Sequence, residues 1–209
     1  MTTSESRVVI KEHEATEKSG KTFSIYLVGV PCVYAMLDKP RLKFQSKTDM
    51  EYSVTVFVTG EMRQQLEDAP LNKSFFEVGV DKNKKRNIKF PLSEQGGNGT
   101  YDPFKGLHGV NLSCPAKTKA GNDRHVKVID TEGQPLTCKI GNGSNISVKL
   151  FGYVKDDLIN VSINTVQVRH LVEYIEKEES GSFDDVLGVD LKKSEPDPVQ
   201  DIIDEDAPF

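Results

Sequence analysis

The sequence of 209 residues has only three cysteines and no long apolar run, and both absences exclude a class of protein. No segment approaches the roughly 20 apolar residues that a membrane-spanning helix needs, and the N-terminal residues lack the basic-then-apolar order of a signal peptide. Cys32, Cys114 and Cys138 are odd in number and far apart, which argues against a disulfide framework. These features predict a protein of a reducing cytoplasm.

The motifs of common enzymes and metal sites are also missing. The four histidines show no His-x-x-x-His pairing and the cysteines show no Cys-x-x-Cys, so the usual zinc spacings are absent. The glycine-rich residues 96–101 lack the Lys-Ser/Thr of a phosphate-binding loop. Cys114 could be a nucleophile with His108 or His125 as its base, but its place in an alternating apolar segment favours a core residue. The sequence predicts no enzyme, no metal site and no cofactor.

Charge is divided unevenly along the chain. Residues 176–209 contain 12 acidic and three basic residues, a net charge of −9, and the whole chain carries −5, so residues 1–175 carry +4. A mildly basic body with an acidic tail suggests a nucleic-acid-binding protein whose tail competes for its groove.

The sequence ends in an acidic run followed by an aromatic side chain. This combination suits capture in a basic surface with an apolar pocket on a partner protein. The docking residues predicted in this segment are Asp204, Glu205, Asp206, Pro208 and Phe209.

Alternation of apolar and polar residues predicts a series of short strands. The predicted strands cover residues 50–58, 107–114, 126–128, 146–154 and 159–172, with an earlier strand or bent pair at residues 23–37. In the last of these the apolar phase changes between Ile163 and Val166, which predicts a bulge. One short helix is predicted at residues 60–69, capped by Thr59 and ended by Pro70.

Five or six antiparallel strands with one short helix, and no βαβ rhythm, predict a mainly β fold. The small Greek-key barrel of the OB-fold type fits this pattern. We expect a flexible N-terminal lead over residues 1–20, a barrel domain over residues 21–175, and a disordered acidic tail over residues 176–209.

The two sides of the strand at residues 146–154 differ in chemistry. Its even-numbered residues begin with Ile146 and Val148 and suit a barrel interior. The odd-numbered side carries cations and rings, namely Lys149, Phe151, Tyr153 and Lys155. Cations contact phosphates and rings stack on unpaired bases, so this side predicts a site for single-stranded DNA. The alternative is that Phe151 and Tyr153 belong to a small buried cluster under a loop, as aromatic side chains usually do.

Other cations and rings extend the predicted site. Residues 82–89 place five cations in a predicted loop, where mobile side chains can follow a phosphate backbone without reading its sequence. An ordinary solvated charge run is the alternative. The further candidate DNA-binding residues are Tyr34, Lys39, Arg41, Lys82, Lys84, Lys85, Arg86, Lys89, Tyr101 and Lys105.

Short patterns along the chain resemble one known family. Residues 33–40 look like that family's first strand closing on Lys-Pro, and residues 52–68 look like its second strand and helix. Residues 125–133 look like its strand and turn ending in Asp-x-x-Gly, and residues 141–149 are similar to its glycine-rich entry to a strand with lysine. Together with the acidic terminus, they resemble the single-stranded DNA-binding proteins of short-tailed phages, OB-fold proteins with an acidic tail ending in phenylalanine. The Pro208-Phe209 ending is more similar to that of bacterial single-strand binding proteins.

The resemblance implies a sequence-independent single-stranded DNA-binding protein of phage DNA replication, recombination and repair. It further implies a tail that recruits DNA polymerase or helicase-primase, a homodimer assisted by the tail, and a place in the host-cell cytoplasm. A function of a different class stays open, namely a protein-interaction adaptor with an OB-fold and no nucleic-acid ligand.

Overall fold

A computed structural model of the chain describes residues 6–15, 20–77, 104 and 106–174. The fold of these residues is mainly β, with eight strands and one helix, so the predicted fold class is confirmed. The elements are β1 (Arg7–His13), β2 (Thr22–Leu42), β3 (Met50–Val58), α1 (Gly60–Asp68), β4 (Phe75–Glu77), β5 (His108–Pro115), β6 (Lys127–Ile129), β7 (Asn145–Lys155) and β8 (Leu158–His170).

Strand β2 organises the sheet because its 21 residues pair with three other strands. Its first half lies between β1 and β7, and its second half pairs with β3. Gly29, at a φ of 65°, stands where the pairing with β7 changes register. The hydrogen-bonded order is β4-β5-β3-β2-β7-β8-β6, and β8 in turn lies near β5. Five strands, β2, β3, β5, β7 and β8, therefore surround one interior.

The interior is filled by alternate residues of these strands. On β3 the buried residues facing it include Val54, Val56 and Val58. Phe57, between the last two, faces the other side and stacks on Phe104 with ring centroids 4.5 Å apart. This part of β3 thus follows the period-2 pattern that the sequence predicts.

Helix α1 forms where the sequence predicts it. The hydroxyl of Thr59 accepts a hydrogen bond from the backbone N–H of Met62 at 3.2 Å, which caps the first turn. Met62 and Leu66, four residues apart, are the buried face, and the helix ends just before Pro70.

The β7–β8 hairpin has a tight turn and the predicted bulge. Asp156 and Asp157, at φ of 53° and 59°, form the two-residue turn, a conformation that aspartate tolerates better than most residues. Further along, Lys149 pairs with Thr165 while Leu150 pairs with Ile163, so one extra residue lies in β8. Because of this bulge, the side chain of Val166 faces the barrel interior, where it is buried.

Two features differ from the sequence-based expectation. Residues Arg7–His13, which we expected in a flexible lead, form strand β1, and Val8 and Ile10 of this strand pack against the core. The short strand β6 pairs with β8 in parallel, whereas the sequence pattern predicts only antiparallel pairs. In the described ranges, no helix is long and apolar enough to cross a membrane.

Candidate nucleic-acid interface

The outward side of β7 carries exposed rings, as the sequence predicts. Val148 and Leu150 are buried in the barrel, whereas Phe151 is 41% exposed and Tyr153 is 43% exposed. Neither ring is among the residues of the two buried clusters. The geometry therefore favours the interpretation as a surface site over the interpretation as a covered cluster.

The neighbouring strands extend this side of β7 into a surface four strands wide. Cross-strand pairing places three rows of four residues side by side across β1, β2, β7 and β8, with none of the twelve buried. We call this surface the basic–aromatic face. Its rows are Val9-Tyr26-Lys149-Thr165, Lys11-Ser24-Phe151-Ser162 and His13-Thr22-Tyr153-Asn160.

Tyr26, on β2, lies between Lys11 of β1 and Lys149 of β7. The Nζ atom of Lys11 is 5.8 Å from the centroid of its ring, and that of Lys149 is 5.7 Å away. Both distances are within the range of a cation–π interaction. The two ammonium groups are thereby held over β2, next to the rings of the face.

Hydrogen bonds fix the row that contains Tyr153 at both of its ends. At one end, His13 Nε2 lies 3.0 Å from the hydroxyl oxygen of Ser24. At the other end, Asn72 Nδ2 donates to Asn160 Oδ1 at 2.8 Å. The backbone N–H of Asn72 also donates to the carbonyl of Ile159 at 2.8 Å, so Asn72 continues the row beyond β8.

The basic–aromatic face has a clear electrostatic sign because none of its twelve positions is Asp or Glu. Glu12 of β1 pairs with buried Phe23, on the other side of the strand, and its carboxylate contacts Lys21 Nζ at 2.6 Å. Within the described part of the chain, neither Lys11 nor Lys149 forms an ion pair. These two cations are therefore available to an anionic ligand.

Lys155 stands at the edge of the face. It is exposed at the last position of β7, and the turn residues Asp156 and Asp157 follow it directly. Their carboxylates offset its charge, so Lys155 contributes less to the positive potential than Lys149.

Three candidates of the sequence analysis lie on the second half of β2, away from the rows of the face. Lys39 and Arg41 are exposed, and Arg41 pairs across the sheet with Glu51. The backbone N–H of Tyr34 donates to Asn142 Oδ1 at 2.8 Å, and burial raises the pKa of the Tyr34 phenol. The structure does not bring these residues together with Phe151 and Tyr153 in one row.

The remaining candidates lie outside the described residues and stay predictions. They are Lys82, Lys84, Lys85, Arg86, Lys89, Tyr101 and Lys105, together with the docking residues Asp204, Glu205, Asp206, Pro208 and Phe209.

Sequence reasoning missed Lys11, His13 and Tyr26. The signal for Tyr26 was present, since Ser24 and Tyr26 alternate with the buried Ile25 and Leu27. Lys11 lies in β1, a segment that we expected to belong to the flexible N-terminal lead.

The proposed nucleophile does not meet a histidine base. Cys114 is buried in β5, and its Sγ donates to the carbonyl of Pro115 at 3.5 Å. His125 Nδ1 instead lies 3.2 Å from the hydroxyl oxygen of Tyr52. Cys114 is therefore a core residue, as its alternation in the sequence favours.

Comparison with known proteins gives similarity in structure without similarity in sequence. No protein-family model matches the chain, and no curated protein matches it. Among solved structures, a C-terminal truncation of the single-stranded DNA-binding protein from bacteriophage Enc34 is 16% identical, with a TM-score of 0.45 over 79% of this chain and 98% of that chain.

Two further structures are similar to the chain. The single-stranded DNA-binding protein gp2.5 of bacteriophage T7 is 14% identical, with a TM-score of 0.42 over 85% of this chain and 98% of that one. The Enc34 protein in complex with single-stranded DNA is 17% identical, with a TM-score of 0.40 over 76% of this chain and 89% of that one. These solved structures are of phage single-stranded DNA-binding proteins, the family that the sequence resembles.

Proposed function

We propose that this chain binds single-stranded DNA independently of sequence, on the basic–aromatic face. The observation that carries this proposal is the composition of the face. Twelve neighbouring positions on four strands, none of them a buried residue, hold three aromatic rings and two lysines that form no ion pair with any described residue, and none of the twelve is acidic.

The two kinds of side chain have separate roles in this proposal. Lys11 and Lys149 contact phosphates, which supplies affinity that depends on salt and not on base sequence. Phe151 and Tyr153, on β7, stack on unpaired bases, at about 1–3 kcal/mol for each base.

The same surface disfavours duplex DNA. Bases inside a duplex are already stacked and paired, so the rings of the face have no partner there. The one helix of the described residues carries Glu61, Glu67 and Asp68 beside a single cation, Arg63. Such a helix would be repelled by the phosphates that line a major groove, so no recognition helix is offered for duplex binding.

We further propose a role in phage DNA replication, recombination and repair, within the cytoplasm of the host cell. The acidic run and Phe209 at the end of the sequence support recruitment of replication enzymes, because one ring in an anionic segment suits an apolar pocket with a basic rim.

Binding of a labelled dT oligonucleotide, compared with a duplex of equal length at several salt concentrations, tests the proposed function. The dT strand should bind more tightly than the duplex, and log affinity should fall with log salt by about 0.7 for each phosphate contacted. Absence of binding to both would contradict the proposal and favour a protein-interaction adaptor.

A further inference from the structure

The basic–aromatic face is chemically different at its two lateral edges. The β1 edge carries Lys11 and His13, whereas the β8 edge is neutral, and its hydrogen-bonding group beside Tyr153 is the amide of Asn160, since the hydroxyl oxygen of Ser162 is buried. A single strand of DNA has the same asymmetry, with charge along its backbone and hydrogen-bonding groups along its base edges. The phosphates therefore fit the β1 side and the base edges fit the β8 side.

The dimensions of the sheet agree with this orientation. The contacts with Tyr26 hold the Nζ atom of Lys11 over β2, and β8 lies two strands away, at about 10 Å by ordinary strand spacing. That distance is comparable to the reach of one nucleotide from its phosphate to the Watson–Crick edge of its base. A base stacked on Tyr153 thus points its edge toward Asn160.

The amide pair at this edge has a defined hydrogen-bonding capacity. Asn72 donates one N–H to Asn160, and within the described residues its own Oδ1 accepts no hydrogen bond. The Nδ2 of Asn160 makes a long contact of 3.4 Å to the carbonyl of Leu158 and retains a second N–H. Asn72 Oδ1 can therefore accept a hydrogen bond from a base edge, and the hydrogen bond to Asn160 holds the Asn72 amide in place.

We infer that the Asn72–Asn160 pair contacts the Watson–Crick edge of the base stacked on Tyr153, so that binding responds to the chemistry of that edge. The inference rests on the proposed function. For thymine, the N3–H donates to Asn72 Oδ1, and the hydrogen bond from Asn72 to Asn160 holds that amide in place. The other nucleotides of the DNA strand are held by phosphate contacts and stacking. Binding of the whole strand therefore stays nearly independent of base sequence.

The test compares a dT oligonucleotide with one in which each thymine is methylated at N3. Methylation keeps the ring for stacking and removes the edge donor. The native protein should bind the methylated strand more weakly, by about twofold to tenfold, the value of one or two lost hydrogen bonds. Asn72→Ala should bind both strands equally, with an unchanged salt dependence, because no phosphate contact is altered.

Further variants separate an edge contact from a change in folding. Asn160→Ala should lose the discrimination as Asn72→Ala does, and the double variant should lose no more, since the two amides act as one unit. Asn122→Ala, on an exposed turn outside the face, should discriminate as the native protein does.

Equal binding of the two strands by the native protein would overturn the inference, as would full discrimination by Asn72→Ala. Failure of the native protein to bind any dT strand would instead contradict the proposed function itself, and the inference with it.

Discussion

Tyr153 is the side chain on which the stacking role depends most directly. Its ring is 43% exposed and lies outside the core, so its removal should leave the fold intact. We expect Tyr153→Ala to weaken binding of a dT oligonucleotide by about 1–3 kcal/mol, and Tyr153→Phe to cost little because the ring remains. Fluorescence anisotropy measures the affinity, and thermal unfolding checks the fold.

The control for this substitution is Tyr174→Ala. Tyr174 is 49% exposed and contacts Lys139 outside the basic–aromatic face, so its loss should not alter the affinity for dT. An equal loss of dT affinity in Tyr153→Ala and Tyr153→Phe would contradict stacking, because it would show that the Tyr153 hydroxyl, and not the ring, contributes the affinity.

Cys32 gives a prediction on pH dependence. Burial raises the pKa of its thiol from 9.0 to about 12, so between these pH values the unfolded chain loses a proton that the folded chain keeps. The free energy of unfolding should therefore fall as pH rises above 9, by at most about 1.4 kcal/mol per pH unit from this group.

Urea unfolding of two cysteine variants between pH 8.5 and 10.5 (roughly the range in which a free thiol ionises) isolates this contribution. Cys32→Ala should show a shallower pH dependence than the native protein. Cys138→Ala, at a partly exposed thiol, should keep the native dependence. Identical pH dependence in all three proteins would refute the effect.

At the scale of elements, Gly152 sets how closely β7 packs on its surroundings. A Cβ atom at this position would lie 2.9 Å from Ile159 Cγ2 and 3.2 Å from Phe23 Cβ, and both neighbours are buried. Gly152→Ala should lower the free energy of unfolding by about 1–3 kcal/mol, the usual cost of overpacking.

Urea unfolding measures this change, with Gly20→Ala as the matched control. A Cβ atom at Gly20 would have no neighbouring atom within 4 Å, so this substitution should be nearly neutral. A Gly152→Ala protein as stable as the native one would show that β7 can shift, and with it Phe151 and Tyr153.

Elements governed by local pattern could be predicted from the sequence. Thr59 and Pro70 define α1 through capping and ring geometry, and the alternation of β3 and β7 follows from one buried side. The bulge of β8 was visible because it shifts the apolar phase by one residue.

The breadth of the candidate site could not be predicted in the same way. The rows of the basic–aromatic face exist because β1 and β8 lie on either side of β2 and β7, and this pairing joins residues far apart in the chain. Lys11 and Lys149 meet at Tyr26 only through that register. A charge and a ring in separate strands carry no sequence signal of their proximity.

At the scale of the whole molecule, the role proposed for the acidic end of the sequence can be tested separately from the proposed DNA binding. Phe209→Ala removes the proposed anchor ring without touching the barrel. It should abolish capture of the cognate DNA polymerase or helicase-primase in a pull-down, since one buried ring can dominate an interface. Melting temperature and dT affinity should not change. Capture at the native level would show that the ring is not the anchor.

The central claim is that single-stranded DNA binds on the face shared by β1, β2, β7 and β8. The most direct test measures the dT affinity of the double variant Lys11→Glu/Lys149→Glu, the face variant. Its control is the double variant Lys117→Glu/Lys119→Glu, which changes the net charge by the same amount outside the face. The face variant should bind at least about tenfold more weakly at low salt, and its log–log salt slope should be smaller by about 1.4, or 0.7 for each lost phosphate contact. The control should bind as the native protein does. Equal weakening of the two variants, or native binding by the face variant, would contradict the claim.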